Sequence, residues 1–212
     1  MMRITVIADG TTQKEFQDKP IPQGVQVYFV TAIEEAQYET DAFFYLRDEE
    51  KLINDISKLE GLQKPVFVNA ISTTLKDLPS NCIRINAWPG FLLNKTIELT
   101  ATKENLEAVK KILQALHWEY QAVPDISGMI TPRIIAMIVN EAYFALGDEV
   151  SSKEDIDIAM KLGTNYPYGP FEWAQKIGVT KIYNLLRQLS QTDNRYVPAP
   201  LLEKEIKHKP WP

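Results

Sequence analysis

The chain has few of the residues that carry chemistry on their own. Cys82 is the only cysteine among 212 residues, which excludes an internal disulfide and a thiolate metal cluster and suits a reducing compartment. His117 and His208 are the only histidines and stand far apart in sequence, so no metal site is expected. A basic excess is also missing. Against 28 Asp and Glu there are 23 Lys and Arg, for a net charge of −5, with the two signs interspersed, so a nucleic-acid footprint is not expected. No basic segment followed by an apolar one opens the chain, and no export signal is expected. The most apolar stretch, "MITPRIIAMIVNEAYFAL" from Met129 to Leu146, is interrupted by Pro132, Arg133, Asn140 and Glu141, which does not suit a bilayer core. Without a membrane partner, the cytoplasm is the expected location.

What is present is an ordinary globular balance: 45% apolar, 24% charged and 10% aromatic residues. Such a chain buries roughly 70% of the surface its unfolded state exposes, in one large domain or two modest ones. Up to about residue 124, short β-rich runs alternate with polar helical ones. "RITVIA" (3–8), "VQVYFV" (25–30), "AFFYL" (42–46), "PVFVN" (65–69) and "CIRIN" (82–86) show little polar alternation, as expected of strands covered on both faces. "RDEEKLINDISKLEGL" sets Leu52, Ile56 and Leu59 on one stripe and ends near Gly61, which predicts a covering helix with a C-terminal glycine. "KTIELTA", "TKENLEAVKKILQALH" and "WEYQAV" add a strand, a helix and a strand. The alternation predicts a mainly parallel α/β sheet over residues 1–124.

After Pro124 only helices are expected, so residues 125–212 read as an all-α domain. "ITPRIIAMIVNEAYFALGD" carries Ile135, Ile138, Ala142 and Ala145/Leu146 at helical spacing, with Pro132 in the first turn. In "SSKEDIDIAMKLG", Ser151 and Glu154 form a capping-box pattern and Gly163 supplies the stop. A third helix is expected from about Pro170 to Ser190 and a short one from Ala199 to Lys207.

Glycine is scarce where a nucleotide turn needs it. A dinucleotide fold places G-x-G-x-x-G after its first strand, whereas "VIADGTTQ", residues 6–13, keeps only Gly10. Ala8 and Gln13 occupy the outer two glycine places. The acidic residue that would hold the ribose falls at Thr31, with Glu34 and Glu35 nearby.

The segment "NEAYFALGDEVSSKEDIDIAMKLGTNYPYGPFEWAQKIG", residues 140–178, resembles the C-terminal helical domain of the 3-hydroxyacyl-CoA dehydrogenase family. Asp155, Ile156, Asp157, Ala159, Met160, Gly163, Pro167, Gly169 and Pro170 match its pattern in register. Read physically these residues are mostly architectural, with Gly163 and Gly169 at turns between helices and Pro170 starting the next helix. The resemblance implies a Rossmann-like NAD-binding domain, here shortened, ahead of the helical domain, and dimerisation through the latter. The interval between Thr31 and Asp41 is too short for the helices and strand that the family has there.

The resemblance also implies the site. "INAWPGFLLNKTIEL" is similar to the family's H-F-F-N-P stretch and the glutamate that follows it, and places Glu98 at the glutamate and Asn86 at the histidine. In the family the histidine removes the proton of the 3-hydroxyl while hydride passes to NAD, and the glutamate orients the imidazole. An asparagine amide holds a hydroxyl or carbonyl but does not take up its proton. "AISTT", residues 70–74, is similar to the family's S-N-T-S-S run, with Thr73 left to supply a hydroxyl. The family's Asn-Arg pair at the start of the helical domain, near the substrate, is Pro132 and Arg133 here. His117 lies between a helix and the Trp118 strand, where exposure at the helix end is its expected role.

Three readings follow. The chain is a dehydrogenase-like protein with reduced or lost turnover, a working enzyme rebuilt around Glu98, Thr73 and Asn86, or a dimeric scaffold holding an acyl-CoA thioester or a partner.

Overall fold

A computed structural model describes residues 1–36 and 39–208, and the chain divides into two compact units, Met1–Met129 and Ile130 onward. The first unit is built on a seven-stranded sheet of order β2-β1-β3-β4-β5-β6-β7. Its strands are β1 Met2–Ile7, β2 Val25–Val30, β3 Ala42–Tyr45, β4 Val66–Asn69, β5 Cys82–Ile85, β6 Thr96–Thr100 and β7 Glu119–Ala122. Every neighbouring pair is parallel except β5 with β6. Every residue of β3, β4 and β5 is buried, which is why these runs are apolar without alternation.

Helices α1 (Gly10–Asp18) and α3 (Leu106–Ala115) supply Phe16, Val109, Ile112 and Leu113 to one core. There Phe16 meets Phe44 edge-on at 5.3 Å and Phe44 stacks on Phe67 at 4.5 Å between ring centroids. Helix α2 (Glu49–Glu60) covers the other core with Leu52 and Leu59 against Tyr45, Val66 and Val68. Edge strand β2 is only half-buried.

The covering helix differs in detail from its apolar stripe. Ile56 is half-buried and Asp55 is buried, because the Asp55 carboxylate accepts a 2.7 Å hydrogen bond from the Tyr45 hydroxyl. Gly61 keeps right-handed backbone at φ −68°, and the left-handed residue beyond the helix is Gln63. At the end of α3 exposed His117 takes the left-handed position (φ 56°). Its N–H and that of Trp118 donate to the carbonyls of Gln114 and Leu113, closing the helix.

The second unit holds α4 Thr131–Gly147, α5 Lys153–Thr164, α6 Pro170–Ile177, α7 Val179–Ser190 and α8 Pro200–His208. Pro132 sits in the first turn of α4, where a missing N–H costs no helical bond. The sequence reading needs three corrections here. Ser152, one residue later than expected, caps α5, its hydroxyl accepting from the Asp155 N–H at 3.1 Å. Gly163 lies inside α5, which ends instead at Asn165 in the left-handed region (φ 57°) that asparagine tolerates. The expected helix from Pro170 to Ser190 is two helices, broken at Gly178 with φ 103°, a conformation that favours glycine. Residues 209–212 of the C-terminal stretch lie outside the described residues, as does the His208 side chain. Among the described residues no helix is long and apolar enough to cross a membrane.

Candidate functional site

The nucleotide-like turn follows β1. Ala8 is buried and its N–H donates to the Val30 carbonyl at 3.1 Å, joining the end of β1 to the end of β2. Asp9 is extended, and Gly10 opens α1 at φ 53°. A Cβ at Gly10 would meet nothing within 4 Å, so the residue serves the backbone conformation and not a close approach by this chain. The Thr12 hydroxyl binds the carbonyls of Asp9 and Leu46, each at 3.1 Å, which ties the turn to the end of β3. Gln13 is half-buried on α1.

One residue of this turn, Asp9, was not singled out in the sequence. The Asp9 carboxylate takes Lys51 Nζ at 2.8 Å and faces Arg47 Nε at 3.5 Å. The Lys51 hydrogen bond holds the Asp9 carboxyl below its usual range, against the opposing effect of partial burial. Beyond β2, the Thr31 N–H and hydroxyl both donate to Glu35, at 3.0 and 3.2 Å, and Glu34 pairs with Lys58 at 2.6 Å. An acidic residue inside this nucleotide-like turn is the signal that sequence reading passed over. Its partners, far along the chain, left no trace in the local pattern.

The antiparallel pairing of β5 with β6 brings Asn86 beside Glu98, the Asn86 N–H donating to the Glu98 carbonyl at 3.0 Å. Asn86 is buried, and its Oδ1 accepts from the Trp88 N–H at 3.3 Å. The loop that follows is pinned at several points. Asn69 Oδ1 accepts from the Ala87 N–H at 3.1 Å and Glu15 of α1 from the Gly90 N–H at 2.7 Å. Lys19 reaches the Leu92 carbonyl at 2.8 Å over the Trp118 ring, and burial lowers its pKa. Glu98 is half-buried on β6 beside Gln121 of β7.

Thr73 lies on a different loop, after β4. Its N–H donates to Glu49 of α2 at 2.5 Å, and the Ser72 N–H donates to the same carboxylate at 2.9 Å. Arg84, read in the sequence only as part of an apolar strand, organises this loop. Its fully buried guanidinium bonds the carbonyls of Ala70 (3.0 Å), Ile71 (2.9 Å) and Ile126 (3.3 Å) and pairs with Asp125 at 2.5 Å. Asp125 also accepts from the Leu75 N–H at 3.1 Å. Asn86 and Glu98 are therefore neighbours, while Thr73 belongs to a separately anchored loop.

In the helical unit Pro132 is buried, and Arg133 donates to the Tyr196 hydroxyl at 3.2 Å, which Arg195 also reaches at 2.7 Å. Arg133, Ile134, Met137 and Tyr196 line a cleft of about 380 Å³. The matched motif turns out to be a helix-to-helix joint. Asp157 of α5 accepts from the Phe171 and Glu172 N–H groups at 2.8 and 3.1 Å and so caps α6, while burial raises its pKa. Gly169 is buried against α5, where a Cβ would lie 2.5 Å from the Asp157 Cα. Among the described residues no group of three or more His, Cys, Asp or Glu side chains is placed to hold a metal.

Comparison with known proteins shows what this joint is similar to. Residues 128–210 match the family model "3-hydroxyacyl-CoA dehydrogenase, C-terminal domain". The 3-hydroxyadipyl-CoA dehydrogenase of Escherichia coli K12 is 38% identical over 119 residues, which cover 53% of this chain and 25% of that protein. The 3-hydroxybutyryl-CoA dehydrogenase of Bradyrhizobium diazoefficiens is 33% identical over 136 residues, covering 61% of this chain and 46% of the relative. The chain thus spans less than half the length of these curated relatives. The crystal structure of (S)-3-hydroxybutyryl-CoA dehydrogenase from Ralstonia eutropha shares the fold, with a TM-score of 0.68 at 22% identity over 85% of this chain and 70% of that one. Over residues 128–210 the chain is similar to the C-terminal domain of the 3-hydroxyacyl-CoA dehydrogenases.

Proposed function

We propose that this chain is a 3-hydroxyacyl-CoA dehydrogenase-like protein that has lost NAD-linked turnover. It keeps an acyl-CoA thioester as ligand and self-associates through its helical residues, in the cytoplasm. Residues 1–124 are then the remnant of the nucleotide-binding domain and residues 125–212 the dimerisation and substrate domain.

The observation that carries this reading is Asn86. The family reaction needs a base for the 3-hydroxyl proton while hydride leaves for the nicotinamide, which is the chemistry NAD supplies when bound. The Asn86 amide has no proton-accepting nitrogen at neutral pH, and its oxygen is engaged by the Trp88 N–H. Loss of a positioned base costs about 10²- to 10⁴-fold in rate. The residues offered to NAD do not fit it either. The Asp9 carboxylate stands at the start of α1, where a diphosphate would meet the helix N-terminus, and Glu35 is turned back onto Thr31. No hydride step is therefore assigned. Arg133 and Pro132 remain as candidate substrate contacts, and Glu98 and Thr73 as remnants of the catalytic cleft.

The test combines calorimetric titration with acetoacetyl-CoA and an assay of acetoacetyl-CoA reduction by NADH. Thioester binding without NADH oxidation is the expected outcome. Steady NADH oxidation that disappears in Glu98→Gln would overturn the reading in favour of a site rebuilt around Glu98, Thr73 and Asn86.

A further inference from the structure

The start of α1 is the natural place for an anion in this sheet, because unpaired helix N–H groups and the aligned peptide dipoles favour negative charge there. The chain already supplies one. Asp9 holds the N-cap position, yet its carboxylate makes no capping hydrogen bond. It is turned toward two cations carried by the end of β3 and the first turn of α2, Arg47 at 3.5 Å and Lys51 at 2.8 Å.

These contacts continue as a network. Arg47 lies 4.0 Å from Asp55, Asp55 takes Lys58 at 2.7 Å, and Lys58 takes Glu34 beyond β2 at 2.6 Å. Three carboxylates (Asp9, Asp55, Glu34) and three cations (Arg47, Lys51, Lys58) thus balance along the ends of β1, β2 and β3. The cations nearest the turn, which would otherwise attract phosphate, are neutralised from within.

We propose that Asp9 is a specificity-determining residue, whose carboxylate occupies Lys51 and Arg47 beside the Gly10 turn and makes that turn reject a dinucleotide diphosphate. This rests on the reading of residues 1–124 as a degenerate nucleotide domain. A diphosphate entering the turn meets a like charge at contact range and must draw Lys51 and Arg47 away from it. The backbone itself remains permissive, since Gly10 keeps its left-handed conformation with open space above it. At Gly10, discrimination therefore lies in the Asp9 charge and not in crowding of the glycine.

The full chain and its Asp9→Asn, Asp9→Ala and Lys51→Ala variants are titrated with NADH by fluorescence and with ADP by calorimetry, at low and high salt, after circular dichroism confirms folding. Both Asp9 variants are expected to bind both ligands about 10-fold more tightly or better at low salt, with the gain shrinking as salt screens the charge. Lys51→Ala, which leaves Asp9 with less compensation, gains nothing. The proposal is overturned if the parent chain binds NADH as tightly as Asp9→Asn, if no variant binds either ligand, or if the gain appears for NADH but not for ADP. These affinities are read without turnover, so their failure is distinct from the failure of the proposed function, which shows as NADH oxidation by the parent chain.

Discussion

Two glycines of the same motif should respond to alanine with opposite signs. Gly163 is exposed in the last turn of α5 and a Cβ there meets nothing within 4 Å. Replacing it restricts the unfolded chain and favours helix, so Gly163→Ala is expected to stabilise by about 0.5–1 kcal/mol. Gly169 has φ −74° and ψ 169°, which any residue adopts, so its constraint is purely steric. A Cβ would lie 2.5 Å from both the Asp157 Cα and Cβ. Asp157 cannot step aside, because it is helix backbone and its carboxylate caps α6 through Phe171 and Glu172. The helices must separate, at about 1–3 kcal/mol for the overpacking and a further ~1 kcal/mol if the cap loosens. Urea unfolding followed by far-ultraviolet circular dichroism, with both variants fitted at a common slope, measures the difference. Equal destabilisation by Gly163→Ala and Gly169→Ala, or an unchanged midpoint for Gly169→Ala, would contradict the steric role of Gly169.

Arg84→Met should destabilise the sheet unit by about 3–5 kcal/mol, because it strands Asp125 and three carbonyls that the guanidinium now satisfies; urea midpoints check it, and a loss below about 1 kcal/mol would mean that Arg84 does not organise the loop. Cys82 is buried, which pushes its thiol up to about 12 from an ordinary value near 9. The folded chain therefore holds the proton more tightly than the unfolded one. The associated stability is intact below pH 9 and is lost as pH rises from 9 toward 12. Iodoacetamide should leave Cys82 unmodified at pH 8.5 until urea unfolds the chain, and rapid labelling of the native protein would contradict its burial.

All seven strands were legible as runs, and for β3, β4 and β5 the reason is that a strand covered on both faces must be apolar along its length, a requirement that is local. Helix existence was legible for the same reason, while helix limits were not. The apolar spacing passes through Gly178 without interruption, so only the backbone at φ 103° reveals the break. Likewise, Ser151 and Ser152 are equivalent caps in the sequence, and the start of α5 at Lys153 decides between them. In the site, motif spacing sets Asn86 at the place of the family's histidine, and Ala8 and Gln13 at two glycine places around Gly10, by resemblance alone.

Residue type at short spacing is enough to read the succession of strands and helices along the chain and the helix joint at Asp157 and Gly169. The meetings of Asp9 with Lys51 and Arg47, of Arg84 with Asp125, and of Asn86 with Glu98 appear only in the folded chain. Those pairs join positions far apart in the chain, and an ion pair or a cross-strand contact has no period of its own. It exists only once the sheet has brought the ends of its strands together.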